Sequence, residues 1–230
     1  GIYAYVDFER IYGRVRDARL NRRLAEARSK IRWFEPPGTT PDLIPYPAYR
    51  ELWFAQMGTA QVPVPQRIQV PEDIPDVPIP SLADLGLVAD GKPIPPGGTV
   101  AARDRLRDFL AEKSDRYYWQ LSYPGAEATS GLSPYIKFGV ISVRDCYQTA
   151  TRLKSEDHRV RRSQQQFISR LRWGSGFAQR FRYLPQLEVR SLYTVFDESQ
   201  NPPTDGPLGN GRLDEGLYEA WQQGQTGFPI

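Results

Sequence analysis

Residues 129–139 read TSGLSPYIKFG, and this stretch decides how the rest of the chain is interpreted. Three hydroxyl side chains and a glycine lead directly into a proline. Ser133 is placed as a helix cap with Pro134 at the first helical position, and Gly139 supplies the helix stop. The pattern predicts a hydroxyl-rich turn followed by a short helix through residues 135–138.

The segment in front of this turn adds a cluster of tyrosines, so that residues 115–139 read DRYYWQLSYPGAEATSGLSPYIKFG. Hydroxyls and free backbone N–H groups suit a pyrophosphate, because turn amides and helix N-termini present unpaired donors to negative charge without a basic side chain. The alternative is that Thr129, Ser130 and Ser133 only cap helices and turns, which is a common role for these residue types. Local chemistry alone leaves both interpretations open.

The sequence in front of the tyrosines is predicted to be helical. Leu106, Phe109 and Leu110 repeat at the spacing of one helix face and predict a helix over residues 100–113. Thr99 precedes this pattern and is predicted to cap the helix. We therefore expect the tyrosine cluster to follow directly on a helix with one apolar face.

Two further helices are predicted after the hydroxyl-rich turn. Ser142 with Asp145 three residues later resembles a capping box and predicts a helix start. A longer helix is expected from about Ser163 into the 180s, where Pro185 ends it. Residues 197–214 are rich in Gly, Pro, Asn and Asp, and we expect them to form a loop.

The beginning of the chain combines a helix and a strand. Apolar residues recur roughly once per turn over residues 7–29, with arginines on the other face, which is typical of an amphipathic helix. Residues 31–35, IRWFE, follow as a short strand candidate. A helix followed by a strand indicates the end of an α/β unit, so residues 1–35 are assigned to such a domain.

Residues 36–96 hold most of the chain's 21 prolines. Proline fixes φ and removes a backbone donor, which excludes long helices and central strands over most of this stretch. An island at residues 47–57 keeps helical spacing and is expected to form a few helical turns. We assign residues 36–96 to an interdomain linker and residues 97–230 to a helical domain.

Composition excludes several classes of protein. With 230 residues, of which 40% are apolar and 12% aromatic, the chain can bury a core and form one or two domains. No apolar run reaches the roughly 18 residues that a membrane helix needs, and no leader pattern is present, so we expect a soluble protein without a membrane partner. A single cysteine fits a reducing, cytoplasmic setting. Cys146 and His158 are the only residues of their types, which excludes an intramolecular disulfide and a Cys/His zinc set.

Basic residues are concentrated in a few helices, although the net charge is only +3. Residues 159–172 read RVRRSQQQFISRLR. Such a stretch can contact DNA phosphates, because neutralising phosphates is how basic surfaces gain salt-dependent affinity. A solvated helix face explains the same pattern equally well, and both interpretations stay open.

The stretch at residues 129–139 closely resembles the TS-x-LSPYL-x-x-G element of the DNA photolyase/cryptochrome family, and Tyr117 stands at the spacing that the family uses. Two further elements of that family, F-x-x-x-L-x-W and W-x-x-G-x-TG-x-P, follow in the same order. Their matches are Phe167, Leu171 and Trp173, and then Trp221, Gly224, Thr226, Gly227 and Pro229. The resemblance implies a mainly α fold, in which part of the helical FAD-binding domain follows a Pro-rich linker and the last helix and strand of an α/β antenna domain.

The resemblance also implies that the chain binds FAD. The residues implied to hold the FAD phosphates are Tyr117, Thr129, Ser130, Leu132 through its backbone, and Ser133. Trp173 is implied to line the cavity for the damaged pyrimidine pair and to offer a ring face for stacking on a flipped base. Its alternative role is that of a core aromatic residue. An antenna pigment of the folate or deazaflavin type is implied for the N-terminal domain outside this chain.

The implied activity is that of a deoxyribodipyrimidine photolyase, a carbon–carbon lyase that repairs pyrimidine dimers in DNA under blue light. The reduced flavin passes an electron to the dimer, which splits and returns it, so no catalytic side chain is required. A cryptochrome-like flavin photoreceptor with a signalling role is the alternative. A helical nucleic-acid-binding module without cofactor explains the basic helices but not the TSGLSP element.

Two positions depart from the family pattern. Arg170 stands where many dimer-repairing members have a glutamate, and Gly174 stands where they have an arginine. A carboxylate for the dimer and part of the flavin-phosphate pairing are therefore missing. The family's next element, which faces the flavin ring, is expected beyond Ile230, and we expect missing neighbours on both sides. The isolated chain is expected to retain FAD weakly or not at all and to be inactive, whereas the full-length protein is expected to be a monomer.

Overall fold

A computed structural model gives the fold of the chain and describes residues 2–69, 77–195 and 215–227. The chain divides into two compact units, one formed by Gly1–Phe34 with Phe177–Ile230 and the other by Glu35–Gly176. The fold is mainly α, which confirms the predicted fold class. No helix within the described ranges combines the length and the apolar character needed to cross a membrane.

The elements follow one another in a simple order. Two strands and eight helices are described, together with 3-10 helices at Pro124–Ala126 and Pro185–Glu188. They are β1 (Ile2–Tyr5), α1 (Ile11–Glu26), β2 (Ile31–Phe34), α2 (Tyr46–Gly58), α3 (Thr99–Glu112), α4 (Tyr117–Gln120), α5 (Ser133–Lys137), α6 (Val143–Arg152), α7 (His158–Tyr183) and α8 (Glu215–Gln222). The boundary between the two compact units falls within α7.

The first unit begins with a parallel strand pair. β1 pairs with β2, with Ile2 opposite Ile31, and α1 makes the crossover between them. The predicted helix and strand are confirmed, but α1 begins only at Ile11 because residues before it are held by side chains; the Asp7 N–H donates to Asp17 Oδ2 at 3.3 Å. β1 was not predicted, because its partner lies on the far side of α1 and no local turn signal marks it.

Charged side chains form hydrogen bonds with free backbone groups at two helix ends in this unit. Glu188 accepts a hydrogen bond from the backbone N–H of Ile11 at the start of α1. Arg14 Nη2 donates to the carbonyls of Phe181 and Arg182 in the last turn of α7, both at 2.6 Å. Helix ends leave backbone N–H and carbonyl groups without intrahelical partners, so these contacts fix the ends of α1 and α7.

The second unit has one hydrophobic core to which helices α2 to α7 all contribute. Leu106, Phe109 and Leu110 of α3 are buried, at the spacing that predicted this helix. The buried core consists of Tyr49, Trp53, Met57, Ala102, Leu106, Phe109, Leu110, Tyr117, Leu132, Tyr135, Ile141, Cys146, Ala150, Phe167 and Leu171. Leu132 and Tyr135 anchor residues 129–139 to this core.

The helical island predicted at residues 47–57 is confirmed as α2, which packs against α6. Trp53 is fully buried and meets the rings of Phe54 and Tyr147 edge-on, with centroids 5.3 and 5.5 Å apart. Its Nε1 donates to Ser175 Oγ at 3.2 Å. A buried indole N–H needs such a partner, so this contact joins α2 to α7 inside the second unit.

The predicted caps of α3 and α6 have different outcomes. Ser142 Oγ accepts from the Asp145 N–H at 2.9 Å, which confirms the cap of α6. Thr99 does not cap α3, because Gly98 takes the cap position with a φ of +96° and Thr99 Oγ1 instead donates to the Val140 carbonyl at 3.5 Å. The predicted cap at Thr99 is therefore wrong by one residue.

Two other helix starts also differ from prediction. Ser133 is the first residue of α5 rather than its cap, because the buried Leu132 occupies the cap position. α7 begins five residues before Ser163, since the Asp157 carboxylate accepts from the Arg159 N–H at 2.8 Å and supports an earlier start. The predicted end before Pro185 is confirmed.

Residues 77–96, the second described part of the Pro-rich stretch, are exposed and contain no helix or strand. Ser81 begins a turn in this stretch, in which the Asp84 N–H donates to Ser81 Oγ at 3.2 Å and the Ser81 hydroxyl donates to Asp84 Oδ2 at 2.7 Å. The loop predicted at residues 197–214 lies outside the described residues, as does Pro229 of the third family element.

Candidate cofactor site

Tyr117 opens α4 and turns its ring into the core of the second unit. Only 6% of the residue is exposed, and the ring packs edge-on against Phe109 (centroids 5.2 Å apart) and Phe167 (6.2 Å). The hydroxyl forms no hydrogen bond with any described residue. Burial raises the pKa of this phenol, and the nearby charge of Arg170 opposes the rise. Tyr117 therefore stays neutral at physiological pH and keeps a hydroxyl donor for a ligand.

Residues 129–133, named here the hydroxyl bend, are held from the core side and leave two hydroxyls at the surface. Leu132 is 1% exposed, and its N–H donates to Ser130 Oγ at 3.4 Å. Thr129 and Ser133 are exposed, and their hydroxyls form no hydrogen bond with a described residue. The bend thus has a fixed backbone and two hydroxyl groups available to a ligand.

Gly131 brings the hydroxyl bend against an arginine of α3. Its φ is +64°, a region that residues with a side chain rarely adopt. A Cβ at this position would lie 2.6 Å from Arg105 Nη2 and 2.8 Å from Arg105 Nε, so the guanidinium lies directly against the glycine. Arg105 forms no ion pair with a described residue. A cation with no carboxylate partner among the described residues therefore lies beside the bend.

A second cation fixes the segment that leads into the bend. Lys113 Nζ, just past the end of α3, donates to the carbonyl of Glu127 at 2.6 Å. Glu127 has a φ of +47° and ends the 3-10 helix, and the next residue, Ala128, is buried. Arg105 of α3 and Lys113 just after it therefore contact the chain on the two sides of Thr129.

Trp173 lies on α7 and is 48% exposed. Phe167 and Leu171 of the same helix are buried, so the core side of α7 is formed by those residues and not by Trp173. The guanidinium carbon of Arg170 lies 5.7 Å from the centroid of the Trp173 ring, within the range of a cation–π contact. Trp173 is therefore no core aromatic residue and keeps indole surface for a stacking partner.

The structure brings some of the predicted residues together. Tyr117 and Leu132 belong to one core, and the charge of Arg170 acts on Tyr117 while its guanidinium contacts Trp173. Trp221 of the third family element lies in the other compact unit, where it is exposed and stacks on Tyr218 with centroids 5.9 Å apart. The structure therefore relates the first two family elements to each other within one unit.

Sequence reasoning missed Arg105 and the contact it makes. Arg105 lies one turn before Phe109, whose ring packs on Tyr117, so the apolar pattern of α3 placed the helix correctly. That pattern does not reveal which loop the exposed side of α3 faces. Glycine is required at position 131 both by the positive φ and by the close guanidinium, and neither can be read from the sequence.

Two curated relatives are similar to this chain in sequence. A deoxyribodipyrimidine photo-lyase of Halobacterium salinarum is 34% identical over 157 residues, which covers 66% of this chain and 30% of the relative. A deoxyribodipyrimidine photo-lyase of Synechococcus sp. is 30% identical, and the match covers 95% of this chain and 47% of the relative. No family model matches the chain. The chain thus spans less than half the length of each relative.

A solved structure agrees with these relatives. The crystal structure of a bacterial class III photolyase from Agrobacterium tumefaciens matches with a TM-score of 0.72, over 99% of this chain and 48% of that one. The sequence identity is 21%, so this likeness shows the fold alone. Since the sequence relatives and the fold agree, this chain belongs to the DNA photolyase/cryptochrome family.

Proposed function

We propose that this chain forms the phosphate-binding part of an FAD site in a deoxyribodipyrimidine photolyase, which repairs pyrimidine dimers in DNA under blue light. The observation that carries the proposal is the Arg105 guanidinium against Gly131, beside the exposed hydroxyls of Thr129 and Ser133. A diphosphate carries negative charge on oxygens that accept hydrogen bonds. An arginine and hydroxyl donors at one bend match both properties.

The other residues of the site have distinct roles in this proposal. Tyr117 donates its hydroxyl to a phosphate oxygen, since no described residue accepts it. Ser130 and the backbone of Leu132 shape the bend through their mutual hydrogen bond. FAD, when bound, supplies the electron that splits the dimer. The residues of this chain bind and orient the cofactor, so none of them needs to act as an acid, a base or a nucleophile.

Arg105 compensates for one departure from the family pattern. Gly174 has no side chain to pair with the flavin phosphates, whereas Arg105 places a guanidinium at the bend that is proposed to hold them. Arg170, the other departure, holds a positive charge next to the Trp173 ring. In this proposal Trp173 stacks on the flipped base of the dimer, and the base is accepted beside a cation rather than a carboxylate.

Repair is favoured over signalling, because both relatives described above are named as photolyases. The proposed setting is the cytoplasm, and the proposed full-length protein is a monomer that acts on DNA containing pyrimidine dimers. An antenna pigment of the folate or deazaflavin type belongs to the same proposal and is assigned to a domain outside this chain.

The test uses the product of the complete coding sequence, loaded with reduced FAD and given oligothymidine that contains cyclobutane dimers. We expect the dimers to disappear under blue light and to persist in the dark, as measured by the recovery of thymine absorbance. Arg105→Ala should lower the FAD content and the repair together. Arg107→Ala is the matched control, because Arg107 lies on the same helix but pairs with Asp104 at 2.8 Å.

Two results would contradict the proposal. Flavin-loaded protein that leaves the dimers intact under blue light rules out repair and favours the photoreceptor alternative. Equal FAD content in the Arg105→Ala, Arg107→Ala and wild-type proteins shows that the bend does not hold the cofactor.

A further inference from the structure

A second surface of the same unit combines exposed aromatic rings with arginines. α4 turns Tyr117 inward, whereas Tyr118 is half-buried and Trp119 is 43% exposed. The rings of Tyr118 and Trp119 meet edge-on, with centroids 5.0 Å apart. The guanidinium carbon of Arg159 lies 5.8 Å from the Trp119 ring centroid, and that of Arg162 lies 4.7 Å from the Tyr118 centroid. We name Tyr118, Trp119, Arg159 and Arg162 the aromatic–arginine surface.

Hydrogen bonds hold this surface in place. The Tyr118 N–H donates to Ser163 Oγ at 3.0 Å, and Ser163 is buried in α7. Arg162 Nη2 donates to the Tyr118 hydroxyl at 3.1 Å. The His158 ring meets Trp119 edge-on with centroids 6.2 Å apart. A surface whose side chains are already ordered loses less conformational entropy when a ligand binds.

The positive charge of this surface has no carboxylate partner in the described ranges of the chain. Neither Arg159 nor Arg162 forms an ion pair within the described part of the chain. Arg161, in the same turn of α7, pairs with Glu156 at 3.7 Å. The Asp157 carboxylate accepts from the Arg159 backbone N–H and so serves the helix start. Two guanidinium charges therefore remain for an external anion, next to an exposed indole.

We propose that the aromatic–arginine surface binds a single strand of DNA, with a base stacked on Trp119 and phosphates on Arg159 and Arg162. Stacking on an aromatic ring tolerates any base, because every base has a π-face, and arginines that neutralise phosphates release counterions. This binding requires neither flavin nor light nor a damaged base. The choice of DNA as the nucleic acid rests on the proposed function, whereas the surface is separate from the hydroxyl bend and from Trp173.

The test measures the affinity of the full chain for undamaged, fluorescently labelled oligothymidine in the dark, by anisotropy at several salt concentrations. Trp119→Ala should weaken binding about fivefold or more, and Trp119→Phe should recover part of the loss. Arg159→Ala should lower the slope of log K against log salt by about 0.7. Arg161→Ala removes the same charge from the same turn and is the control, because its partner Glu156 already neutralises it; it should change the slope less.

The inference is overturned if Trp119→Ala and Arg159→Ala bind like wild type, or if Arg161→Ala costs as much as Arg159→Ala. It is also overturned if polyglutamate displaces the oligothymidine at equal charge, since an acidic protein segment would then be the better occupant. Light-driven repair that persists in these variants leaves the proposed function standing. If Trp119→Ala loses strand binding and the wild type does not repair dimers, the result supports this inference and not the proposed function.

Discussion

Replacement of Gly131 by alanine tests how the hydroxyl bend is built. The φ of +64° is a left-handed conformation, which costs a residue with a side chain about 1–2 kcal/mol. The added Cβ would also lie 2.6 Å from Arg105 Nη2, which is well inside van der Waals contact. The exposed guanidinium can move away by roughly 1 Å at little cost in stability. The substitution therefore strains the backbone and displaces Arg105.

These two effects have separate readouts. The free energy of unfolding in urea should fall by about 1–2 kcal/mol because of the backbone strain. The affinity for FAD, measured by flavin fluorescence on the product of the complete coding sequence, should fall about tenfold, because a displaced guanidinium loses a charge-assisted hydrogen bond. Gly139→Ala is the matched control: its φ is +68° and nothing lies within 4 Å of the added Cβ, so it should lose similar stability without losing FAD affinity.

A double-mutant cycle completes this test. In an Arg105→Ala background the affinity penalty of Gly131→Ala should disappear, while its stability penalty should remain. Unchanged FAD affinity in the Gly131→Ala protein would refute the reasoning. So would an equal loss of affinity in the Gly131→Ala and Gly139→Ala proteins, because backbone strain alone would then explain the result.

Three more predictions follow from single contacts. Tyr117→Phe should change the free energy of unfolding by less than about 0.5 kcal/mol, because no described residue bonds the hydroxyl, while FAD affinity falls several-fold in titrations; a large stability loss would contradict this. Ser142→Ala should lose about 1 kcal/mol in urea unfolding, since Ser142 caps α6; no loss would show that the cap is idle. The Ile11 N–H and Arg10 hold the pKa of Glu188 below its usual value, so its contribution is present above about pH 4.5 and is lost as pH falls through the folded pKa. The free energies of unfolding of wild type and Glu188→Gln should therefore become equal in acid. If they are already equal at neutral pH, the prediction is wrong.

Hydroxyl residues before helices show how well the local sequence predicts helix caps. Ser142, Thr99 and Ser133 all precede helical patterns, but only Ser142 acts as a cap. The burial of Leu132 decides which residue occupies the cap position of α5, and Gly98 with its positive φ takes that position in α3. Caps depend on how the preceding residue is held, which the core determines and the local pattern does not.

The candidate site likewise has residues that the local sequence could place and residues that it could not. Local sequence predicted the hydroxyl bend as a turn and described Tyr117 only as part of a tyrosine cluster after a helix, and the structure places both against one core. Arg105 could not be found in this way, because its contact with Gly131 depends on how α3 packs against the bend. Trp173 has the helical spacing of a core residue, yet it is half exposed, since Phe167 and Leu171 already form the buried side of α7.

The central claim is that the hydroxyl bend holds the diphosphate of FAD. The most direct measurement compares the affinities of the product of the complete coding sequence for FAD and for riboflavin, which lacks the diphosphate, in wild type and in a Thr129→Ala, Ser133→Ala double variant. We expect the double variant to lose about tenfold in affinity for FAD and to keep its affinity for riboflavin. Equal losses for both ligands, or no loss for FAD, would contradict the claim.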